Sequence, residues 1–178
     1  MPFTLVLGGA RSGKSAWSQA RAETRVAEGG GRLVMIVTAQ ALDDEMADRI
    51  ARHRAERGEA WKTVEALLDL PQALDELSSG DVAVVDCLTL WLSNLMLAEA
   101  VLADAFAALE KAARGSRADI LLVSNEVGQG VVPDNALARR FRDEAGRLHQ
   151  RLAASADAAV LIVAGLPIWL KRPGAPPP

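Results

Sequence analysis

A single α/β domain, with a mainly parallel sheet and helices on both faces, is predicted by three features of the 178-residue chain. Apolar runs at residues 5–7, 33–37, 82–85, 120–123 and 160–163 have the near-continuous hydrophobicity of strands covered on both faces, and helix-compatible segments separate them. Hydrophobic residues make up 50% of the sequence, enough at this length to bury one core but not two. No repeat of fixed period and no Gly-, Ser- or Pro-rich linker divides the chain, so the domain is expected over residues 1–172, followed by a flexible Pro-rich tail at 173–178.

The first strand, Leu5-Val6-Leu7, breaks into Gly8-Gly9-Ala10-Arg11-Ser12-Gly13-Lys14-Ser15 just where a helix can start. This G-x-x-x-x-G-K-S pattern is a phosphate cradle. Gly8 and Gly13 let the backbone close around an anion, and amide N–H groups at the helix N-terminus supply donors and dipole. Lys14 reaches the β and γ phosphates, and the Ser15 hydroxyl suits Mg²⁺, a hard cation that takes oxygen ligands. Residues 15–28, with Ala16, Ala20 and Ala27, continue as a helix, which Gly29, Gly30 and Gly31 end before the second strand. Strand, glycine loop and helix in this order specify an α/β fold of the P-loop NTPase type (RecA-like).

Between the second and third apolar runs, residues 43–57 read as an amphipathic helix with acids at its start and bases at its end, the order the helix dipole favours. Met46, Ala47, Ile50 and Ala51 form one strip, and Arg49, His53 and Arg57 recur at i, i+4 and i+8 on another. Flanking guanidiniums disfavour imidazolium, which suits a neutral His53 that attacks phosphorus while the arginines hold phosphate oxygens. By spacing alone the same face also fits a solvated surface. The other histidine, His149, lies on a later helix with no acid partner in reach by spacing and reads as surface or packing.

The third run ends in Asp86 after four apolar residues, a Walker B pattern in which the carboxylate completes a metal site with the loop serine; capping of the next helix is the other reading. That helix, 88–100, is apolar nearly all round and is expected to be buried, with an oligomer contact as one use for it. Behind the fourth run, Asn125 and Glu126 fall where an α/β sheet faces its ligand, and either touch substrate or build a tight turn with Gly128 and Gly130. The stretch 158–170 contains Gly165 and Pro167 and is too short to cross a bilayer, so it reads as a buried strand plus a turn.

With 20 basic against 23 acidic side chains the net charge is −3, so no global field favours nucleic acid or a membrane surface, and any anion is bound by local groups. The single cysteine, Cys87, sits in an apolar stretch and cannot form an internal disulfide, which together with a strand entered by residue 3 and no visible secretory signal points to the cytoplasm.

Several blocks together resemble one family, the bifunctional adenosylcobinamide kinase and adenosylcobinamide-phosphate guanylyltransferase of cobalamin biosynthesis. They are the G-G-A-R-S-G-K-S loop at 8–15, D-E-M-x-x-R-I-x-x-H ending at His53, W-K-T-V-E at 61–65, D-C-L-T at 86–89, S-N-E-V-G-Q-G-V-V-P at 124–133, and the stretches beginning at Asn135 and Arg151. The resemblance covers nearly the whole chain except the tail. It implies phosphorylation of adenosylcobinamide from ATP or GTP, followed by transfer of GMP from GTP onto adenosylcobinamide phosphate through a covalent GMP-histidine, with release of pyrophosphate. By motif position the nucleophile is His53, and Arg52 precedes it where some relatives carry a second histidine.

The nucleotide contacts implied are Gly8, Gly9, Ala10, Arg11, Ser12, Gly13, Lys14 and Ser15 of the loop, together with Ile36, Val37 and Thr38, Arg54, Ala55, Glu56 and Arg57, Glu65 and Asp86, with Mg²⁺ held by Ser15 and Asp86, partly through water. One loop cannot present α and γ phosphorus equally, so the His53 helix moves about Gly58 or the nucleotide takes two poses. Trp91, Trp169 and the turn at Asn125-Glu126 are candidates for gripping the corrinoid. The resemblance further implies a homo-oligomer, with a trimer expected. Two other readings fit the loop alone: a plain small-molecule kinase with His53 idle, and a nucleotide switch without corrinoid chemistry.

Overall fold

The computed structural model describes residues 3–39 and 60–174. In chain order the elements are β1 (Phe3–Gly8), α1 (Lys14–Gly29), β2 (Leu33–Val37), β3 (Trp61–Glu65), α2 (Leu70–Asp75), β4 (Val82–Asp86), α3 (Leu88–Leu97), α4 (Leu102–Gly115), β5 (Asp119–Asn125), α5 (Ala136–Ser155), β6 (Ala158–Val163) and β7 (Leu166–Lys171). One seven-stranded sheet has the order β3-β2-β4-β5-β1-β6-β7. All neighbours pair parallel except β6 and β7, which form an antiparallel hairpin.

Alternation of side chains along each strand separates two cores. Leu5, Leu7, Val34, Ile36, Ala83, Val85, Ile120 and Leu122 face α2 to α5, whereas Val6, Leu33, Met35, Val82, Val84, Leu121, Val123 and Val160 share the other face with Ala22 and Trp17 of α1. That double coverage explains why the five inner strands read as unbroken apolar runs. The edges read differently. In β3, Lys62 and Glu65 are exposed and only Trp61 is buried, while β7 shows solvent Leu166, Ile168 and Leu170. Neither sequence has the signature of a central strand, and both strands escape a search for buried runs. The stretch expected to be a strand plus a turn is therefore a full hairpin.

Helix α3 is buried as expected along Leu88, Trp91, Leu92 and Leu95, but it stops at Leu97 and that side chain is exposed. Helix α5 starts on Asn135, whose side-chain oxygen accepts from the amides of Leu137 (2.7 Å) and Ala138 (3.2 Å), satisfying two otherwise orphaned donors. At the opposite edge of the sheet from the strand C-termini, Arg32 binds Asp81 in a fork, Nε to Oδ1 at 2.8 Å and Nη2 to Oδ2 at 2.9 Å, which joins the entries of β2 and β4. These features fix the frame. The ends that follow the strands carry the chemistry.

Candidate functional site

The loop between β1 and α1 has the shape of an anion cradle. Arg11 and Gly13 adopt positive φ, 56° and 93°, which turns the chain so that the amides after Gly8 can point inward. At Gly8 a Cβ would collide with Ser12 Oγ and come within 2.8 Å of the Ile162 carbonyl oxygen, so only glycine fits. Lys14 is buried, 8% exposed, and its Nζ donates to the Gly9 carbonyl at 3.2 Å across the loop. Ser12 Oγ is buried without a hydrogen-bond partner among the described residues. A buried ammonium resting on one carbonyl and a buried hydroxyl with no partner are groups short of hydrogen bonds, and phosphate oxygens would supply them.

The turn between β6 and β7 closes one side of this cradle. Gly165 donates its amide to the Ser12 carbonyl at 2.8 Å, and a Cβ on Gly13 would lie 3.1 Å from Gly165 Cα. Gly165 and Pro167 mark the turn in the sequence, but nothing local indicates its approach to a loop more than a hundred residues earlier.

On the other side, the ends of β2, β4 and β5 are tied into one polar network. Thr38 Oγ1 donates to the Cys87 carbonyl (2.7 Å) and accepts from the Cys87 amide (3.0 Å). Asn94 Nδ2 donates to the carbonyls of Thr38 (2.8 Å) and Leu67 (3.0 Å), and Asn125 Nδ2 donates to Thr89 Oγ1 (2.8 Å). Asp86, half-buried, is carried at the tip of β4 by this network. Burial, reinforced by the Asp86 charge, pushes the Cys87 thiol up, so it packs rather than attacks.

Glu126 stands where the two sides meet. Its amide donates to the Gly8 carbonyl at 2.9 Å, its Oε1 accepts from the Gly128 amide at 2.6 Å, and its Oε2 lies 3.9 Å from His149 Nδ1. The His149 ring is buried and its Nε2 makes a 2.7 Å hydrogen bond with Ser124 Oγ. The acid partner invisible by spacing is thus supplied by a strand tip.

Burial pulls the His149 pKa below the ordinary imidazole value, an effect the Glu126 charge opposes without cancelling. A lowered histidine pKa means that the unfolded chain binds the proton more readily, so stability is full above the ordinary value near 6.5 and falls as pH drops from there toward the folded pKa. Urea midpoints at neutral and mildly acidic pH should therefore show an acid-side loss in the native chain that is smaller in His149→Asn.

Of the residues expected at the site, Gly8 to Ser15, Thr38, Asp86 and the Asn125-Glu126 pair gather along one edge of the sheet around β1, β5, β4 and β2. The Ile36 side chain is fully buried in the sheet core, so contact through it is closed; Thr38 is equally buried and its hydroxyl is spent on Cys87, so it supports the site rather than touching a ligand, and Val37 is half-buried. Glu65 is exposed at the end of β3, the edge strand beside β2. Trp91 does not grip a ligand. It is 0% exposed, and its indole N–H donates to the Leu68 carbonyl at 2.9 Å. Trp169 is half-buried in an edge-to-face pair with Trp17, ring centroids 6.1 Å apart. His53, Arg54, Ala55, Glu56 and Arg57, with the whole helix expected at 43–57 and its hinge at Gly58, lie outside the described residues. Among the described residues no group of three or more His, Cys, Asp or Glu side chains is placed to hold a metal by itself, and no helix is long and apolar enough to cross a membrane.

Comparison with known proteins agrees with this geometry. The family model for cobinamide kinase / cobinamide phosphate guanyltransferase matches residues 4–170. The bifunctional adenosylcobalamin biosynthesis protein CobP of Pseudomonas aeruginosa is 48% identical over 170 residues, covering 94% of this chain and 96% of its own. The bifunctional adenosylcobalamin biosynthesis proteins CobU of Salmonella typhimurium and Escherichia coli are 39% and 38% identical, each covering 94% of this chain and 98% of its own. Among solved structures, an ATPase domain superposes with TM-score 0.54 at 13% identity over 99% of this chain and 79% of that one. The flagellar accessory protein FlaH from Methanocaldococcus jannaschii gives 0.53 at 15% identity over 98% and 81%. Those two likenesses establish a shared RecA-like fold.

Proposed function

The chain belongs to the cobinamide kinase / cobinamide phosphate guanyltransferase family, a transferase family of cobalamin biosynthesis, and on that premise we propose how its residues divide the two reactions. In the first, adenosylcobinamide takes the γ phosphoryl group of ATP or GTP on its aminopropanol hydroxyl. In the second, His53 attacks the α phosphorus of GTP, pyrophosphate leaves, and the phosphate of adenosylcobinamide phosphate displaces the histidine to give adenosylcobinamide-GDP. Splitting the transfer into two displacements lets one bound nucleotide be activated before the large corrinoid has to be aligned.

The observation that carries this reading is the cradle itself. Lys14 and Ser12 have polar atoms directed within a loop too tight for side chains at Gly8, and they fit the phosphate chain of a nucleoside triphosphate. Ser15 and Asp86 offer the hydroxyl and carboxylate oxygens that Mg²⁺ selects, and would hold it beside the phosphates, where it neutralises their charge. Val37 at the tip of β2, half-buried, and Glu65 beyond it are assigned to the nucleoside end, while Thr38, fully buried with its hydroxyl bonded to Cys87, holds the strand end in place. Arg54 and Arg57, next to His53, are assigned to the phosphates, with Ala55 and Glu56 in the same nucleotide-binding stretch.

The protein acts in the cytoplasm as a homo-oligomer, a trimer in this reading. Support comes from the apolar edge of β7, where Leu166, Ile168 and Leu170 are 69%, 51% and 59% exposed, a patch that invites cover by a second copy.

Purified protein incubated with adenosylcobinamide, GTP and Mg²⁺ should yield both adenosylcobinamide phosphate and adenosylcobinamide-GDP by mass spectrometry. Nucleotide hydrolysis with neither corrinoid product would sink the assignment in favour of a switch. Phosphate formation without the GDP product would reduce the chain to a kinase.

A further inference from the structure

We propose that Glu126 is the catalytic base of the phosphorylation step, receiving the proton of the corrinoid alcohol, and that His149 is the positioning residue that holds its carboxylate. The proposal rests on the function above. Its geometry comes from the sheet. The order β4-β5-β1 sets β5 between the strand that ends in Asp86 and the strand that ends at the phosphate loop. In register, Asp86 pairs with Val123 and Gly8 pairs with Asn125, so Glu126 is the first residue beyond the ladder, between the metal-side carboxylate and the cradle.

Two hydrogen bonds and one close electrostatic approach hold it there. The Glu126 amide on the Gly8 carbonyl, at 2.9 Å, ties its backbone to the first glycine of the loop. The Gly128 amide fixes Oε1 at 2.6 Å. Behind Oε2, at 3.9 Å, stands a buried imidazole locked by Ser124 through a 2.7 Å bond. In the tautomer whose Nε2 accepts from the Ser124 hydroxyl, the ring proton is on Nδ1 and faces Oε2. Burial lowers the His149 pKa and so favours the neutral ring, which orients the carboxylate by its dipole. The Glu126 side chain retains 24% exposure, so a substrate can reach it.

Among the described residues, the other groups named at this edge have assigned work. Asp86 is placed for the metal, Thr38 and Cys87 bond each other, and Glu65 lies on the far edge strand. In the step itself the corrinoid hydroxyl oxygen bonds to the γ phosphorus while the bond from that phosphorus to the β,γ-bridging oxygen breaks, its electron pair leaving on the nucleoside diphosphate. The hydroxyl proton passes to Glu126 and then to water, so charge and atoms balance without any further reactant.

The test is steady-state kinase kinetics of Glu126→Gln, an isosteric change, alongside GTP affinity by calorimetry and GMP transfer to prepared adenosylcobinamide phosphate. Expected is a fall in kcat for phosphorylation on the order of 10²-fold or more with KM for the nucleotide little changed, while GTP affinity and GMP transfer persist. Glu126→Asp should recover part of the lost kcat. His149→Asn should lower kcat severalfold when Glu126 is present and have no added effect in Glu126→Gln, because a positioning group matters only through what it positions. Kinase kcat within threefold of the native value in Glu126→Gln would overturn the proposal, as would equal loss of GTP affinity, GMP transfer and kinase activity, which marks a structural role. Native protein that makes no adenosylcobinamide phosphate would instead overturn the functional assignment, a result distinct from either.

Discussion

His53→Ala is expected to remove GMP transfer, by roughly 10³-fold or more, while leaving phosphorylation of adenosylcobinamide in place. The asymmetry follows from the chemistry. Phosphoryl transfer to an alcohol needs the cradle and a base, whereas the covalent route to adenosylcobinamide-GDP needs an imidazole to attack. Incubation with GTP labelled at the α phosphate should leave label on the native protein that survives base and is lost in acid, and none on the variant. The sequence offers one other histidine. His149 is 7% exposed, and its Nε2 is held by Ser124, so it cannot open an in-line path to a nucleotide phosphorus without breaking a buried bond. Label retained in His53→Ala at the native level would therefore refute the histidine route rather than reassign it.

How much of this could be read before the structure depends on the range of each signal. The phosphate loop is local. Its glycines, lysine and serine must be consecutive because one turn of backbone surrounds the anion, so the string 8–15 specified both the fold and the cradle. The five inner strands were equally legible, since burial on both faces writes itself as a run of apolar residues. Strand β3 was not, because a lone buried Trp61 among Lys62, Thr63 and Glu65 is as compatible with a loop as with an edge strand.

Long-range contacts left still less trace. Nothing near His149 in the chain indicates that the sheet brings Ser124 and Glu126 to its two ring nitrogens, 25 and 23 residues earlier. Trp91 misled for the opposite reason. An aromatic ring just after a Walker B strand looks available to a flat ligand, but the helix it sits on is apolar on several faces, and α3 turns that ring inward against Phe106 with centroids 6.4 Å apart. A tryptophan on such a helix is better read as core.

Lys14→Ala is expected to abolish both reactions and to leave the melting temperature unchanged or raised. Both steps begin from a triphosphate in the same cradle, so the loss in kcat/KM should be on the order of 10³-fold for phosphorylation and for GMP transfer alike, in contrast to the one-sided effects of His53→Ala and Glu126→Gln. Stability should move the other way because Lys14 is a buried ammonium whose hydrogen bond in the described fold is to the Gly9 carbonyl, an incomplete return for leaving water. Alanine removes that desolvation cost at a helix start where it is also the better helix former. Calorimetric melting of both proteins without nucleotide, and again with saturating GTP, separates the effects: the variant should match or exceed the native chain alone and fail to gain the ligand-induced rise. A variant that melts well below the native chain in the absence of nucleotide would show that Lys14 holds the loop together, and its lost activity would then say nothing about phosphate binding.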